Sequence, residues 1–217
     1  MNRRDFSRHL TGWAGLGLAV GASAQAREAP VEGKQYIRLN TPASTLTPAA
    51  DKKVEVVEFF GYWCPACYAF ESTLEAWVKT LPADVVFRRM PVAFNPTHQS
   101  LQKAFFALED MGQLPTMHRK IFNSIHQQRK RMDSDAEVTE FVLSQGIDAA
   151  RFKDAFGSFS VDSRIKRSRQ LSQEYKIDGV PTLGVQGRFY TSPSLAGGND
   201  RATAALDFLI QRARQRV

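Results

Sequence analysis

The sequence predicts an α/β domain interrupted by a long run of helices. Three observations carry this. Val54–Phe60 is a strongly apolar, β-branched run that reads as a buried strand. It is followed by a helix-period segment and a second strand, Val85–Pro91, so the order is strand, helix, strand, the opening of a parallel βαβ unit. From Pro96 to about Phe159 every apolar pattern is helical, and a hairpin with a final helix closes the chain.

Residues 27–52 form a Pro/Ala/Thr-rich approach with one short strand candidate, Gln35–Leu39. After Val54–Phe60, Gly61-Tyr62-Trp63 turns the chain and a helix begins near Cys64. Pro65 falls in the first helical turn, where its missing N–H costs nothing. Phe70, Leu74, Trp77, Val78 and Leu81 make one helix face, and Leu81-Pro82 ends it. In the helical run, Leu101, Phe105 and Leu108 share a face. So do Ile121, Phe122 and Ile125, then Val138, Phe141 and Val142, followed by Phe152 and Phe156. Turns fall at Gly112 to Pro115, Asp133-Ser134-Asp135 and Gly146 to Asp148. A longer helix over about Val161–Lys176 leads to Gly179-Val180-Pro181. Thr182–Val185 and Arg188–Thr191 flank Gln186-Gly187 as a hairpin, and Asn199-Asp200 is placed to cap the last helix, whose apolar face is Leu206, Leu209 and Ile210.

At 217 residues the chain fits about one domain with an insertion. A composition 43% hydrophobic and 24% charged excludes disorder and fibrous structure. The first 26 residues read as an export signal. Arg3, Arg4 and Arg8 form a basic head, Leu10 to Ala22 an apolar run, and Ala24-Gln25-Ala26 a cleavage site, with Ala22-Ser23-Ala24 as the alternative cut. The run falls short of the ~20 apolar residues a spanning helix needs. Arg3-Arg4-Asp5-Phe6 resembles a twin-arginine signal, the alternative being an ordinary secretory one. No later segment reaches spanning length, so a soluble exported protein is expected. The net charge of +7 raises the question of nucleic acid. The basic clusters at Arg129-Lys130-Arg131, at Arg164, Lys166, Arg167 and Arg169, and at Arg212, Arg214 and Arg216 lack interleaved aromatics and match no nucleic-acid module. They read as solvated faces.

Two cysteines exclude a disulfide-rich scaffold and any four-cysteine metal site. Both lie in Cys64-Pro65-Ala66-Cys67, between a strand and a helix. Residues i and i+3 at a helix start can close a small disulfide ring, and the unpaired N–H groups and positive dipole there stabilise a thiolate. A redox pair is the leading reading. A structural bridge would close a tiny loop and add little stability. A metal site would need two more ligands, and His98, His118 and His126 form no ligand pair with the motif in sequence.

The stretch from Glu58 to Glu71, with Gly61-Tyr62-Trp63-Cys64-Pro65-Ala66-Cys67-Tyr68 at its centre, resembles the active-site segment of the DsbA family of thiol:disulfide oxidoreductases. Gly33-Lys34-Gln35-Tyr36 resembles that family's mature N-terminal segment, and Gly179-Val180-Pro181 its cis-proline loop. The resemblance runs through essentially the whole chain after residue 26. It implies a thioredoxin-like fold with an inserted helical domain: residues 27–95 and 162–217 form the discontinuous thioredoxin-like domain and 96–161 the insert. It implies that Cys64 is the substrate-facing sulfur, Cys67 its resolving partner, and Val180-Pro181 a cis peptide facing them. Glu58 would be a proton-handling acid near Cys67, with Glu71 and Arg89 tuning the site. A Glu58 reaching water and a solvated Glu71 are the competing readings. Tyr62, Trp63 and Tyr68 are placed to form an apolar rim or to join the core.

The family implies reduced exported proteins as substrates and a membrane-bound, quinone-linked re-oxidase of DsbB type. No metal or organic cofactor, no nucleic acid and a periplasmic location are expected, and a monomer too, since the length leaves no room for the extra dimerisation domain of exported isomerases. One position departs: Ala66 stands where the family's best-known motif has His. Loss of a charge-assisted hydrogen bond is worth ~1.5–3 kcal/mol, or ~30–60 mV for a two-electron couple. A less oxidising protein with a higher Cys64 pKa than His-bearing relatives is therefore expected. A reductase or isomerase of the same fold, and a non-redox binding module with a structural disulfide, are the alternatives.

Overall fold

A computed structural model describes residues 28–215. The export signal and both cleavage sites lie outside the described residues. Five strands form one sheet: β1 (Ile37–Arg38), β2 (Val54–Phe60), β3 (Val85–Pro91), β4 (Thr182–Val185) and β5 (Phe189–Thr191), in the order β1-β5-β4-β2-β3. β2 and β3 pair in parallel and the other neighbours are antiparallel. β2 is an interior strand, between β4 and β3, and is buried along its whole length, its two glutamates included. The expected first strand shrinks to Ile37–Arg38, paired with Phe189 and Tyr190 of β5.

The helices are α1 (Pro65–Val78), α2 (Gln99–Asp110), α3 (Leu114–His126), α4 (Asp135–Ser144), α5 (Ala149–Phe156), α6 (Phe159–Glu174), α7 (Pro193–Ala196) and α8 (Asn199–Arg214). α1 stops one turn before Pro82. Thr80 and Leu81 bond back to Trp77 and Val78 in i→i+3 fashion, which tightens the chain ahead of the proline. α6 is one unbroken helix across positions 161 and 162. Gly198, not Asn199 or Asp200, takes the N-cap place of α8. The Asn199 amide instead donates to the Ala69 carbonyl at 3.3 Å and ties α8 to α1. The short α7 had no periodic signal to announce it. Among the described residues no helix is long and apolar enough to cross a membrane.

Two apolar layers sandwich the sheet. On one face Val54, Val56 and Leu183 meet Phe70, Leu74 and Trp77 of α1 and Leu206 and Leu209 of α8. On the other, Val57 and Phe59 meet Leu171 and Tyr175, and the cluster continues through Phe105, Ile121, Phe122, Val142 and Phe152 of the helical run. The β4–β5 turn is the expected Gln186-Gly187, both with positive φ, which suits a two-residue hairpin.

Gly184 sets the packing of the second layer. A Cβ there would lie 2.3 Å from the ring of Tyr175, which packs tilted against Phe59 and whose hydroxyl accepts the Gly187 N–H at 2.8 Å. Gly184→Ala is expected to lower stability by about 1–3 kcal/mol, read as a shift of the urea midpoint. An unchanged midpoint would show that the ring can move aside.

Candidate active site

The strand-to-helix turn positions the dithiol. Cys64 is the N-cap of α1, in extended conformation, with Pro65 following in the first turn. Its N–H is spent on Gly61 O at 3.0 Å, and its sulfur accepts the Cys67 N–H at 3.3 Å, as a capping side chain does. Gly61 leaves room for the Trp63 indole, which a Cβ would approach to 2.4 Å. Both thiols are free. Cys64 is 5% exposed and Cys67 is fully enclosed.

The environments of the two sulfurs differ sharply. The Cys67 side chain donating to Cys64 is the largest influence on Cys64. Burial opposes it, backbone N–H groups of Cys67 and Ala66 assist it, and the thiol is brought down to about 6. Burial pushes Cys67 far up, reinforced by the hydrogen bond to Cys64 and by the charges of Cys64 and Glu58. At neutral pH the pair is therefore one thiolate over one thiol. A thiolate of this kind is both a nucleophile and a good leaving group.

The Val180–Pro181 peptide is cis. Its loop faces the dithiol, and the Cys64 thiol lies 3.3 Å from the Val180 carbonyl. On another side of Cys64, Trp63 stacks on His98 at 4.0 Å between ring centres, with Phe94 edge-on at 5.6 Å. Phe94 is 47% exposed, so this corner presents aromatic surface to solvent. Tyr62 belongs to the core, while Trp63 and Tyr68 are half-buried.

Behind the dithiol lies a buried cluster of charge. The β2–β3 register sets Glu58 beside Arg89. Arg89 Nε approaches Glu58 at 3.2 Å, and its Nη2 donates to Glu71 at 2.5 Å. The readings in which Glu58 reaches water and Glu71 is solvated are overturned: both carboxylates are inside. Glu58 faces α1, and Glu71 reaches it because Cys67 and Glu71 are i, i+4 on the sheet-facing side of that helix. Glu55, also buried on β2, is satisfied by the N–H groups of Leu46 and Thr47. Glu58 has no directional hydrogen bond on either oxygen. Burial pushes Glu58 up to about 8; Arg89 pulls against it, while the charges of Glu71 and Cys64 add to the rise. For Glu71 burial also works upward, but His118 Nε2 at 3.2 Å and the Arg89 charge prevail and hold it below the usual carboxylate range.

Two residues of the site were weighed in the sequence only as metal ligands. His118 and His126, both on α3, grip the turn before Cys64. Tyr62 Oη lies 2.7 Å from His118 Nδ1, and His126 Nε2 donates to the Tyr62 carbonyl at 2.8 Å. His126 also stacks on Tyr68, the residue after Cys67, at 4.9 Å. The signal was present. His118 shares the helix face of Ile121 and Phe122, so its burial followed from its spacing. What it would touch inside did not.

The sheet, its helices and the asymmetric dithiol define a thioredoxin-like thiol:disulfide oxidoreductase. Residues 55–209 match the DSBA-like thioredoxin domain family. The thiol:disulfide interchange protein DsbA of Burkholderia cepacia is 38% identical over 201 residues, 93% of this chain and 94% of that protein. DsbA of Bordetella parapertussis is 42% identical over 184 residues, 84% of this chain and 86% of that one. The crystal structure of Pseudomonas aeruginosa DsbA superposes with a TM-score of 0.79 at 34% identity, over 84% of this chain and 94% of that chain. The chain belongs to the DSBA-like thioredoxin domain family.

A thiolate forms as pH rises, so alkylation of Cys64 in the reduced protein should be half-maximal near pH 6. It should fall about tenfold per unit below that and level off above it. An Ala66→His variant should titrate lower still. Equal midpoints from thiolate absorbance would show that an imidazole at this position contributes nothing.

Proposed function

We propose that the chain is a periplasmic donor of disulfides to newly exported proteins, through Cys64 and Cys67. The observation that supports this best is the placement of one sulfur at the helix start, beside the Val180 carbonyl, with its partner sealed beneath. In the oxidised form a substrate thiolate attacks Cys64 Sγ. The Cys64–Cys67 bond breaks, and its electron pair leaves on Cys67, which takes up a proton. A second substrate thiol loses its proton to solvent and attacks the substrate sulfur of the mixed disulfide. Cys64 then leaves as a thiolate. Two electrons pass from substrate to protein. One substrate proton is released to solvent net, the other being balanced by the proton on Cys67.

In this reading Glu58 is the acid that supplies the proton to Cys67, since it is protonated near neutrality and its charge acts on that sulfur. Arg89 and Glu71 set its proton affinity, and Pro65 and Ala66 shape the ring. Val180 and Pro181 border the substrate segment, whose backbone pairs beside the Val180 carbonyl. Trp63 and Phe94 give apolar side chains of an unfolded substrate a landing surface. Residues 27–95 with 162–217 hold the dithiol, and the helical segment 96–161 closes over it through α3. Residues 1–26 direct export, by the twin-arginine or general secretory route. A membrane-bound, quinone-linked protein of DsbB type returns the pair to the disulfide, and the chain acts as a monomer.

Ala66 favours a second reading, a reductase or isomerase, because it supplies no imidazole to the thiolate. Equilibration in graded glutathione buffers separates the two. A potential well above the glutathione pool is the expected result. One near about −270 mV, the thioredoxin range, would move the assignment to the reductase. Cys64→Ser should abolish disulfide donation to a reduced substrate. Offered a substrate disulfide, Cys67→Ala should accumulate the mixed disulfide, since Cys64 attacks that bond, expels one substrate thiolate and has no resolving thiol, visible as a mass increment on non-reducing gels. Activity surviving in Cys64→Ser would exclude the proposed chemistry.

A further inference from the structure

Two buried carboxylates, Glu58 and Glu71, share one guanidinium. If both were ionised the cluster would hold an uncompensated charge away from water, which is strongly unfavourable. One of them must keep a proton, and hydrogen-bond geometry decides which. Glu71 Oε1 takes the aligned Nη2 of Arg89 at 2.5 Å, and His118 Nε2 lies 3.2 Å from the same oxygen. Glu58 is left with the misaligned Nε contact.

His118 is held for this task. Phe60, Phe105 and Phe122 enclose its ring, with centroids 5.4, 6.3 and 5.1 Å away. The groups that face it with charge or protons are Tyr62 from the β2–α1 turn, Glu71 and Glu75 from α1, and Arg89 from β3. Glu75 is engaged by Arg119. The tautomer follows from these neighbours. A buried phenol is a donor, and its proton goes to Nδ1 at 2.7 Å. The ring proton is then on Nε2, where it meets the carboxylate; the other tautomer would set a nitrogen lone pair against a carboxylate oxygen.

We propose that His118 is a positioning residue of the redox reaction: its Nε2–H holds Glu71 as the carboxylate on Arg89, and so leaves Glu58 as the buried acid that exchanges a proton with Cys67. During reduction the Glu58 proton passes to Cys67 as that sulfur leaves, and the Glu58 carboxylate is reprotonated from solvent. Reoxidation reverses both transfers. Burial lowers the proton affinity of His118, so the neutral ring is the working form at neutral pH. The inference rests on the proposed role of Glu58 and adds the group that assigns it.

The test is a pair of variants read by carbon NMR of the Glu58 carboxyl in the reduced protein across pH. In His118→Asn the amide reaches Tyr62 but stops short of Glu71. In His118→Gln a longer amide restores a donor at the Nε2 position. Wild type is expected to titrate near 8. The Asn variant should titrate about one to two units lower, because Arg89 is freed to close on Glu58, and the Gln variant should stay with wild type. If all three titrate together near 8, the positioning role fails while the Glu58 role stands. If both variants fall, the ring matters for some reason other than donation, and the inference is overturned. A wild-type midpoint in the ordinary carboxylate range would overturn the inference together with the Glu58 role, and is distinct from the other two results.

Discussion

Arg89 is the cation around which the interior of the site is arranged. A guanidinium cannot lose its charge, so the acids that face it must adjust. Glu58 meets it through the β2–β3 register, and Glu71 meets it through the helical repeat that begins at the cysteines. Neither acid can move to solvent without unpacking α1 from the sheet, because Phe70 and Leu74 are buried on the same helix. One guanidinium and two carboxylates leave a place for one proton. That proton sits on the sheet face where Cys67 is enclosed. The acid-base character of the dithiol is thus a consequence of how α1 packs on β2 and β3.

The helix start and this cluster act on different sulfurs. Cys64 lies where backbone N–H groups are unpaired, and they favour its thiolate. Cys67, one turn in, has lost solvent and faces a carboxyl group, and both favour its thiol. Three residues of separation are enough because the first turn of a helix is where its field is strongest and its side chains begin to turn inward. Ala66 lies between them with only a methyl group. The stabilisation of Cys64 therefore comes from Cys67 and the backbone, with no imidazole adjoining the sulfur.

β2, β3 and the dithiol turn were legible in sequence because each rests on local chemistry: a strongly apolar, β-branched run, a βαβ order, a first-turn proline after a capping residue. The hairpin was legible for the same reason, since a Gln-Gly pair between apolar runs leaves few conformations. The strand near Ile37 was read too long, because an edge strand is ended by its partner β5 and not by its own residues. The cap of α8 was misread because Asn199 has a better use on α1. The same distinction divides the site. The family resemblance marked Cys64, Cys67, Glu58, Glu71, Arg89, Val180 and Pro181. That Glu58, Glu71 and Arg89 form one cluster is a tertiary fact. His118 was weighed only as a metal ligand, and its contact with Glu71 crosses between α3 and α1, which no spacing encodes.

The helical run does more than cover the sheet. His118 and His126 are eight residues apart on α3, two turns and about 80° on, and both still reach the same target. One engages the Tyr62 hydroxyl and the other its carbonyl, and Tyr62 precedes Cys64 by two residues. Tyr68, just after Cys67, is stacked on His126 and donates to Asn123 at 3.2 Å. The redox turn is therefore gripped on both flanks by a helix that is not part of the βαβ unit. A strand-to-helix turn left open at one side would be free to shift its sulfurs between oxidised and reduced forms. Clamped by α3, it keeps Cys64 at the helix start while proton changes are taken up behind it, in the cluster that the same helix enters through His118.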